Sequence, residues 1–474
     1  MAKILISIDH KWRDLPGYVY AGLLLEQRGH QVQFVRNGLH PWVIPNLRPD
    51  VVVLVHLFEA SQPQLAKDLQ DQGVKVVLMP TEGIPTLEQF RSFAVGKECD
   101  LSGVDLHFVW NEPAAEILSQ NKTIDKKKIV VTGVPRFDFY RAPLSKLLLK
   151  KEELVTRLEM NPAFPLITFA TNFTHAGFVR NKDFFLRDAE RLGYKKILEN
   201  IAGTATEVPN KDFMSRQICL EAFERLLDNF EKVNFILKLH PSEDQQHYRE
   251  FLQTRLSSEA RQRVRIITQT YIWDILNATD LELKRSCTTG IESWMLGKPT
   301  VEMKLNPDEW YFSPEHASGS DIAESYDGLK SIVHYYLSGG QIRKELQKAR
   351  DAFLNKWCYA TDGQSTLRMV EGIEALLRSD QKRPGKIAQS TKSKLTHLGL
   401  AVGDHWLHDI KVYGLKNWMI GRYIDQLGRE DKFFHHRDIR LWRERLKTVI
   451  HPSKSTPYQI IPSSVDDKCQ ATAM

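Results

Sequence analysis

Short runs of apolar, β-branched residues alternate with segments of helical periodicity along the first part of the chain. Nearly continuous apolar runs of this length are typical of parallel strands that are buried on both faces. The first predicted helix has Pro16 in its first turn and Gly29 at its end, where each residue type is favoured. This alternation predicts one doubly wound α/β domain, residues 1–142. Its predicted strands are 3–8, 30–35, 49–55, 74–79, 105–110 and 128–133, and its predicted helices are 16–29, 61–72 and 111–121.

The same alternation starts again after Asn161-Pro162, beyond a predicted helix at 143–159. It predicts a second Rossmann-like α/β domain, residues 160–362, followed by an amphipathic helix within 363–379. The predicted strands are 164–171, 233–239, 264–268, 280–283 and 299–303, and the predicted helices are 211–230, 243–256, 289–297 and 341–355.

The C-terminal residues 380–474 differ from both domains in composition and charge. They contain 17 Lys and Arg and 10 Asp and Glu, a net charge of +7, whereas the whole chain carries +6. Within them, 395–449 is rich in Trp, His, Arg and Lys. This predicts a basic, mainly helical extension packed on the body of the protein, with peripheral contact to anionic lipid as the functional alternative. The acids interspersed among the basic residues disfavour nucleic-acid binding.

The composition is that of an ordinary globular protein, with 42% hydrophobic and 26% charged residues in a chain of 474. Its five cysteines are scattered without a C-x-x-C pair, which disfavours a disulfide framework and a zinc ribbon. The N-terminus does not read as a signal peptide, and no apolar run reaches the roughly 18 residues of a spanning helix. We therefore expect a cytoplasmic protein, with a peripheral position at the inner face of the membrane as an alternative.

Polar and ionisable residues follow most of the predicted strands. Ligands of open parallel sheets bind at the carboxyl ends of the strands, so these residues are candidates for a binding site. In the first domain they are Asp9, His10, Arg13, Asp14, His56, Glu82 and Arg136. In the second domain they are Asn172, Lys238, His240, Arg285, Ser286, Thr288, Thr289 and Gly290.

The stretch VNFILKLHP, residues 233–241, ends an apolar strand in a cation, an imidazole and a proline. Lys238 and His240 are two positions apart, so they project from the same side of an extended segment. A cation beside an imidazole donor suits a phosphate or pyrophosphate. The alternative is an ordinary strand end with a solvated lysine and a histidine that is bonded within the protein.

The stretch RSCTTGIESWMLGKPTV, residues 285–301, places hydroxyl residues directly before a predicted helix. Unpaired N–H groups at a helix N-terminus bind anions, and the hydroxyls of Ser286, Thr288 and Thr289 would add donors. Glu292, one turn into the helix, would accept hydrogen bonds from ribose hydroxyls. The alternative is a capping box, in which a Ser or Thr caps the helix and Glu292 is its partner.

Taken together, these features resemble the GT-B glycosyltransferase fold, with two doubly wound domains that face a cleft. The resemblance rests on the Lys-x-His-Pro strand end and on the element S-x-T-T-G-x-E-x-x-x-x-G-K-P, residues 286–299. The chain is most similar to bacterial surface-carbohydrate biosynthesis proteins, CDP-glycerol glycerophosphotransferases and transferases that use CMP-sugars. The stretch ILISIDHKWRDLPGYVYAGLLLEQRGHQV, residues 4–32, and GVPRFD, residues 133–138, carry the likeness to the first of these families. It covers residues 1–378, and the extension lies outside it.

The resemblance implies roles for individual residues. In such enzymes the C-terminal domain binds the nucleotide donor, with His240 on its phosphate, the hydroxyls of 286–289 beside it and Glu292 on the ribose. The N-terminal domain binds the acceptor and supplies the general base. Glu82, in PTEGIP (80–85), matches the position of the base, although Thr81 stands where the family has a second acid. Asp14 and Asp9 are the rival bases.

The implied activity is a glycosyltransferase of surface polysaccharide biosynthesis, which transfers a sugar from a nucleotide-sugar donor to a glycan or lipid-linked acceptor. The chain has no Asp-x-Asp, so we expect no metal and no cofactor besides the donor. Lys238, His240 and Arg285 would stabilise the leaving phosphate in place of a cation. The alternatives are a UDP-sugar 2-epimerase-like enzyme, a polyol-phosphate transferase and a catalytically silent scaffold of polysaccharide assembly. The donor sugar, its nucleotide base, the acceptor and the stereochemical outcome stay open.

Overall fold

Two six-stranded parallel sheets form the protein in a computed structural model. The structure describes residues 1–37, 40–55, 62–79, 100–191, 195–379 and 434–450. The chain divides into two compact units. Unit 1 comprises Met1–Leu147 together with the described residues from Asn355 onward, and unit 2 comprises Leu148–Leu354.

The sheet of unit 1 has the strand order β2-β1-β3-β4-β5-β6, and all six strands predicted for this domain are present. Every strand pair is parallel, and the strands are apolar because helices cover the sheet. The strands are β1 (Lys3–Ile8), β2 (Gln31–Arg36), β3 (Val51–Leu54), β4 (Lys75–Leu78), β5 (Leu106–Val109) and β6 (Ile129–Val131). The helices are α1 (Leu15–Gln27), α2 (His40–Leu47), α3 (Gln62–Asp71) and α4 (Glu112–Leu118).

The sheet of unit 2 has the order β12-β11-β10-β7-β8-β9. The five predicted strands are confirmed, and the sequence pattern missed the three-residue edge strand β12 because it is too short to show a period. The strands are β7 (Leu166–Ala170), β8 (Asn234–Lys238), β9 (Val264–Ile267), β10 (Leu281–Lys284), β11 (Thr300–Met303) and β12 (Asp321–Ala323). The helices are α5 (Lys151–Arg157), α6 (Lys182–Arg191), α7 (Lys195–Ala202), α8 (Val208–Asn229), α9 (Gln245–Arg255), α10 (Ser258–Gln262), α11 (Ile272–Ala278), α12 (Thr289–Met295), α13 (Pro314–Ala317), α14 (Tyr326–Leu337) and α15 (Lys344–Trp357).

Each sheet reverses its strand order at one point, between β1 and β3 in unit 1 and between β7 and β10 in unit 2. The connections leave such a pair of strands in opposite directions, which opens a crevice at their carboxyl ends. Most of the residues predicted to bind substrate follow these strands or their neighbours. The topology therefore places them at the edge where α/β proteins bind ligands.

The chain returns to unit 1 within α15, earlier than the predicted boundary at 362. The side-chain amide of Asn111 donates to the carbonyl of Trp357, and Nε of Arg141 donates to the carbonyl of Thr361. Helix α16 (Ser365–Arg378) follows, and both oxygens of Asp138 accept its first backbone N–H groups, at 2.9 and 2.7 Å. Asp138 therefore acts as the N-terminal cap of this helix.

Helix α17 (His436–Ile450), the described part of the basic extension, packs on α1 of unit 1. Trp442 and Leu446 on its apolar face are fully buried. The indole of Trp442 meets Phe139 edge to face, with ring centroids 5.6 Å apart. The extension thus supplies part of the core of unit 1, as expected of a helix packed on the body of the protein.

The polar contacts of α17 also join it to unit 1. Lys11 forms an ion pair with Asp438 at 3.1 Å, and Arg443 forms one with Glu26. Since the apolar face of α17 is covered, it is not presented to a lipid surface, and residues 395–433 of the predicted lipid-binding segment lie outside the described residues. Lipid contact therefore stays a prediction. No helix in the described part of the chain is long and apolar enough to cross a bilayer.

Candidate functional site

Three predicted site residues lie in one row at the carboxyl edge of the sheet in unit 2. Ala170 of β7 pairs with Lys238 of β8 on one side and with Lys284 of β10 on the other. Asn172, His240 and Ser286 each follow their paired residue by two positions. The strand register, which the sequence does not reveal, therefore brings them level at the point where the strand order reverses.

The imidazole of His240 is oriented by the turn that Pro241 begins. Its Nδ1 accepts the backbone N–H of Ser242 at 3.2 Å, which requires Nδ1 to be unprotonated in that bond. The neutral ring therefore carries its proton on Nε2. His240 is partly buried and can offer Nε2–H as a donor to an anionic ligand.

Lys238, the last residue of β8, is directed into the protein rather than alongside His240. Its Nζ donates to the carbonyl oxygens of Leu239 at 2.8 Å and Thr268 at 3.2 Å. Burial lowers the pKa of Lys238 to about 8. In this arrangement the ammonium joins the carboxyl ends of β8 and β9. A contact with a phosphate stays a prediction.

The loop from Ser286 to Gly290 rests on a buried ion pair between Lys284 and Glu302. Glu302 also accepts the backbone N–H of Ser286 at 2.5 Å, which holds that residue at a left-handed φ of 41°. Asn172 reaches the same loop, since its amide donates to the carbonyl of Ser286 at 3.4 Å. A Cβ at Gly290 would lie 2.3 Å from Cε of Lys284, so only glycine lets the lysine pass beneath the loop.

Helix α12 begins at Thr289 and is seven residues long, two fewer than predicted. Thr288 at its N-cap forms no capping hydrogen bond through its side chain, so the capping-box alternative is not observed. The hydroxyl of Thr289 donates inward to Glu282 at 2.6 Å, and Glu292 is buried. Thr288 is partly exposed at the loop. The predicted ligand contacts of these three residues stay predictions.

Arg285 is fully buried between two carboxylates and does not face solvent. Its Nη1 donates to Asp212 at 2.8 Å, and its Nε and Nη2 donate to the two oxygens of Glu309 at 3.0 and 2.5 Å. Its Nη1 also donates to the carbonyl of Asn172 at 2.7 Å. Arg285 therefore holds the β7 and β10 loops together, and its predicted contact with substrate stays a prediction.

In unit 1, four predicted residues form one cluster at the end of β1. Arg13 donates to both oxygens of Asp14, at 2.8 and 2.9 Å, and to Asp9 at 3.1 Å. The backbone N–H of His10 donates to Asp14 at 3.1 Å, and Nδ1 of His10 accepts the backbone N–H of Arg13 at 3.2 Å. Asp14 is thus an acceptor in several bonds, and its role as a general base stays a prediction. In His10, as in His240, Nδ1 accepts a backbone N–H, so the neutral ring carries its proton on Nε2.

Of the remaining predicted residues of unit 1, Arg136 is described and Glu82 and His56 are not. Arg136 is buried, with its guanidinium 5.3 Å from the ring centroid of Trp110 and 4.9 Å from that of Phe137. Glu82 and His56 lie outside the described residues. The assignment of the base to Glu82 is therefore still a prediction from the sequence.

Comparison with solved structures identifies the architecture. The chain is similar to a Listeria monocytogenes protein assigned as a UDP-N-acetylglucosamine 2-epimerase, with a TM-score of 0.51 and 15% identity over 82% of this chain and 100% of that one. A second UDP-N-acetylglucosamine 2-epimerase gives a TM-score of 0.50 and 13% identity over 82% and 99%. The protein has the GT-B fold. At these identities the likeness establishes the fold and not the reaction.

A third similar structure is the wall teichoic acid polymerase TagF with CDPG, at a TM-score of 0.49 and 12% identity over 81% of this chain and 90% of that one. Comparison of the sequence with protein-family models and with curated proteins gives no match. The GT-B architecture is therefore established from the structure alone.

Several carboxylates at the carboxyl edge of the sheet in unit 2 were not predicted from the sequence. Glu243 accepts the hydroxyl of Thr171 at 2.8 Å, the backbone N–H of Phe173 at 3.2 Å and the hydroxyl of Tyr248, and so joins the loops after β7 and β8. Burial raises its pKa. A signal for Glu302 exists in the sequence, because a charged residue inside the apolar strand PTVEM requires a partner. No local pattern indicates Glu243.

Glu282, in the middle of β10, is the buried carboxylate with the clearest consequence for stability. Burial raises its pKa to about 7, and its Oε2 has no hydrogen-bond partner among the described residues. The folded protein therefore binds a proton more tightly than the unfolded chain. The free energy of unfolding of the wild-type protein should therefore fall as the pH rises from 4.5, the ordinary pKa of a glutamate, through about 7.

Glu282→Gln should raise the free energy of unfolding at pH 8 by about 2–3 kcal/mol, because it removes the cost of a buried charge. At pH 5 the wild-type carboxyl is already protonated in the folded state, so the gain should nearly vanish. Urea unfolding at both pH values measures the difference. Glu231→Gln, at an exposed position, is the control and should change little at either pH. A gain that does not depend on pH would contradict the prediction.

Proposed function

We propose that the protein is a glycosyltransferase of surface polysaccharide biosynthesis that transfers a sugar from a nucleotide-sugar donor to a glycan or lipid-linked acceptor. The observation that carries the proposal is the row of Asn172, His240 and Ser286 at the carboxyl edge of unit 2, where the strand order reverses. Two structures that share its fold are named as UDP-N-acetylglucosamine 2-epimerases, which supports a nucleotide sugar as the ligand.

The donor phosphate would be held by neutral hydrogen-bond donors at that edge. His240 offers Nε2–H, because its Nδ1 is occupied by the backbone of Ser242. Thr288, at the partly exposed tip of the loop, offers a hydroxyl. Such preorganised donors stabilise the negative charge that develops on the leaving nucleotide. The proposal includes transfer without a metal ion, which EDTA treatment tests.

A UDP-sugar 2-epimerase-like activity is the second candidate. It is favoured by the names of two structures that match with TM-scores of 0.51 and 0.50. That reaction needs no acceptor and inverts one carbon of the donor sugar. Incubation with a nucleotide sugar followed by product analysis separates the two, since an isomerised nucleotide sugar identifies the epimerase and a new linkage identifies the transferase.

A thermal-shift screen against CMP, CDP, UDP, GDP and their sugar conjugates tests the donor site. We expect one nucleotide to raise the melting temperature, since a ligand that binds only the folded state stabilises it by mass action. EDTA should leave that shift unchanged. In His240→Ala, loss of one charge-assisted hydrogen bond should weaken nucleotide binding by about 10- to 100-fold.

His334→Ala is the matched control, because His334 is exposed on α14 and should not affect nucleotide binding. Equal binding by His240→Ala and the wild-type protein would place the phosphate elsewhere. If EDTA abolishes the increase in melting temperature, nucleotide binding requires a metal ion and the metal-independent mechanism is wrong. If no nucleotide raises the melting temperature, the result favours the catalytically silent scaffold over both enzymatic functions.

A further inference from the structure

His175 lies at the same edge of unit 2 as His240, five positions after the end of β7, and was not among the predicted site residues. Its backbone N–H donates to Oδ2 of Asp212 at 2.9 Å, and its Nδ1 lies 3.3 Å from the same oxygen. The ring packs against Phe185 and Trp310, with centroid distances of 5.4 and 5.8 Å. Its side chain is 19% exposed, so a ligand can reach it while its orientation is set by the protein.

The state of Asp212 determines which ring nitrogen of His175 carries the proton. Burial disfavours the charge of Asp212, but Arg285 and His175 hold its pKa below the usual value, so it is a carboxylate. Its Oδ1 accepts from Nη1 of Arg285 at 2.8 Å and from the indole of Trp310 at 3.2 Å. A carboxylate only accepts hydrogen bonds, so Asp212 favours a proton on Nδ1 of His175, and Oγ of Thr174, 3.2 Å from Nδ1, can accept from the same N–H. The neutral ring then has its lone pair on Nε2.

His175 lies beside a buried cluster of charged groups. Asp212 of α8 and the hydroxyl of Thr174 contact the ring directly, while Arg285, in the loop after β10, is joined to it through Asp212, and Glu309 through Arg285. One guanidinium and two carboxylates leave this cluster with a net charge of −1, which a proton on His175 would neutralise. His240 has the opposite arrangement, because its Nδ1 accepts and its Nε2 donates. The two histidines thus differ in polarity, as expected of a base and of a phosphate donor.

We propose that His175 is a proton-transfer residue of the site in unit 2, with Asp212 as its positioning residue. This inference rests on the proposed function. Nε2 takes the proton of the acceptor hydroxyl while the hydroxyl oxygen forms a bond to the transferred carbon of the sugar. The bond between that carbon and the phosphate oxygen breaks, and its electron pair leaves with the nucleotide. The imidazolium then gives the proton to water.

The first test is spectroscopic and uses the full-length protein labelled with 15N in its histidine rings. The signals of His175 are those missing from His175→Asn, whose side-chain amide can still donate to Asp212 in place of Nδ1. We expect the neutral ring to carry its proton on Nδ1, and its Nε2 signal to shift when the nucleotide sugar selected by the thermal screen is added. His334→Asn is the matched control, since Nδ1 of His334 also has a partner, Oγ of Ser338 at 2.8 Å, but on an exposed helix face.

A proton on Nε2 of the neutral ring, or an Nε2 signal that does not move at saturating donor, overturns the inference. Asp212→Asn should change the tautomer of His175, a signature that a purely structural role would not produce. The second measurement is release of nucleotide from the same donor with water as acceptor. His175→Asn should slow it by about 10²- to 10⁴-fold, and the melting shift produced by the nucleotide alone should persist.

The outcomes separate this inference from the function on which it rests. If no nucleotide raises the melting temperature of the wild-type protein, the proposed function fails and the inference fails with it. If a nucleotide binds but His175 shows the other tautomer, no shift on binding or an unchanged rate of release, the donor site stands and the role of His175 is wrong.

Discussion

Arg285→Met should destabilise unit 2 by about 3–5 kcal/mol, because it leaves two buried carboxylates without their cation. Arg285 is fully buried and supplies four of the hydrogen bonds at this edge, to Asp212, Glu309 and the backbone of Asn172. Methionine has a similar length but no charge or donor. Urea unfolding followed by tryptophan fluorescence measures the change, and Trp310, which bonds Asp212, lies within the affected region.

The pH dependence identifies the cause of that loss. In the wild-type protein the pKa of Asp212 is held below its usual value, chiefly by Arg285 acting against the effect of burial. Its contribution to stability is therefore present above the ordinary carboxyl pKa of about 4 and is lost as the pH falls through the folded-state value. In Arg285→Met only His175 still opposes the effect of burial on Asp212, so the pKa of Asp212 should rise and protonation of Asp212 should stabilise the variant. The loss of stability in Arg285→Met, relative to the wild-type protein, should be largest near neutral pH and should narrow as the pH falls towards and below about 4.

Arg255→Met is the matched control for Arg285→Met. Arg255 also donates two hydrogen bonds to one carboxylate, Glu224, at 2.8 and 3.1 Å, but it is 55% exposed. Exposed pairs contribute about 0–1 kcal/mol, so this variant should unfold close to the wild-type protein. Equal losses in the two variants, or a deficit in Arg285→Met that grows at low pH, would contradict the account of a buried charge cluster.

Trp442→Ala should reduce the free energy that holds α17 against the rest of unit 1 by about 3–5 kcal/mol, the range found when large aromatic residues are removed from cores. The indole is fully buried, meets Phe139 edge to face and lies 4.2 Å below the guanidinium of Arg445. Alanine would leave a cavity between α17 and the body of unit 1. Backbone hydrogen exchange should accelerate in 436–450, and the melting temperature should fall.

Arg440→Ala, on the exposed side of the same helix, is the control and should stay within about 0.5 kcal/mol of the wild-type protein. If Trp442→Ala exchanges its amides at the wild-type rate, the extension does not contribute to the core of unit 1. The apolar face of α17 would then be available for the predicted lipid contact through 395–449. Liposome binding by Trp442→Ala, compared with the wild-type protein, would detect that change.

The strands and much of the site could be predicted because their signals are local. An apolar run that stops at His240-Pro241 identifies both the strand and the residue at its end, and RSCTTG identifies the loop after β10. The three residues of β12 and the helix α2, with its internal Pro45, have no local signal of comparable strength. The base assigned to Glu82 stays a prediction, since that residue lies outside the described part of the chain.

The amino-acid sequence by itself determined the two α/β units, their strands and the polar residues that follow those strands, because burial on both faces of a parallel sheet requires nearly continuous apolar runs. Only the tertiary structure decided what each charged side chain does. Lys238 and Arg285 are predicted phosphate ligands, and the structure shows their contacts within the protein: backbone carbonyls for Lys238, and Asp212 and Glu309 for Arg285. A buried charge requires a partner inside the protein. The partners of Arg285, Asp212 and Glu309, are 73 and 24 positions away in the sequence. Strand register and long-range packing, which no local pattern encodes, therefore decide which partners each of these charged side chains finds inside the protein.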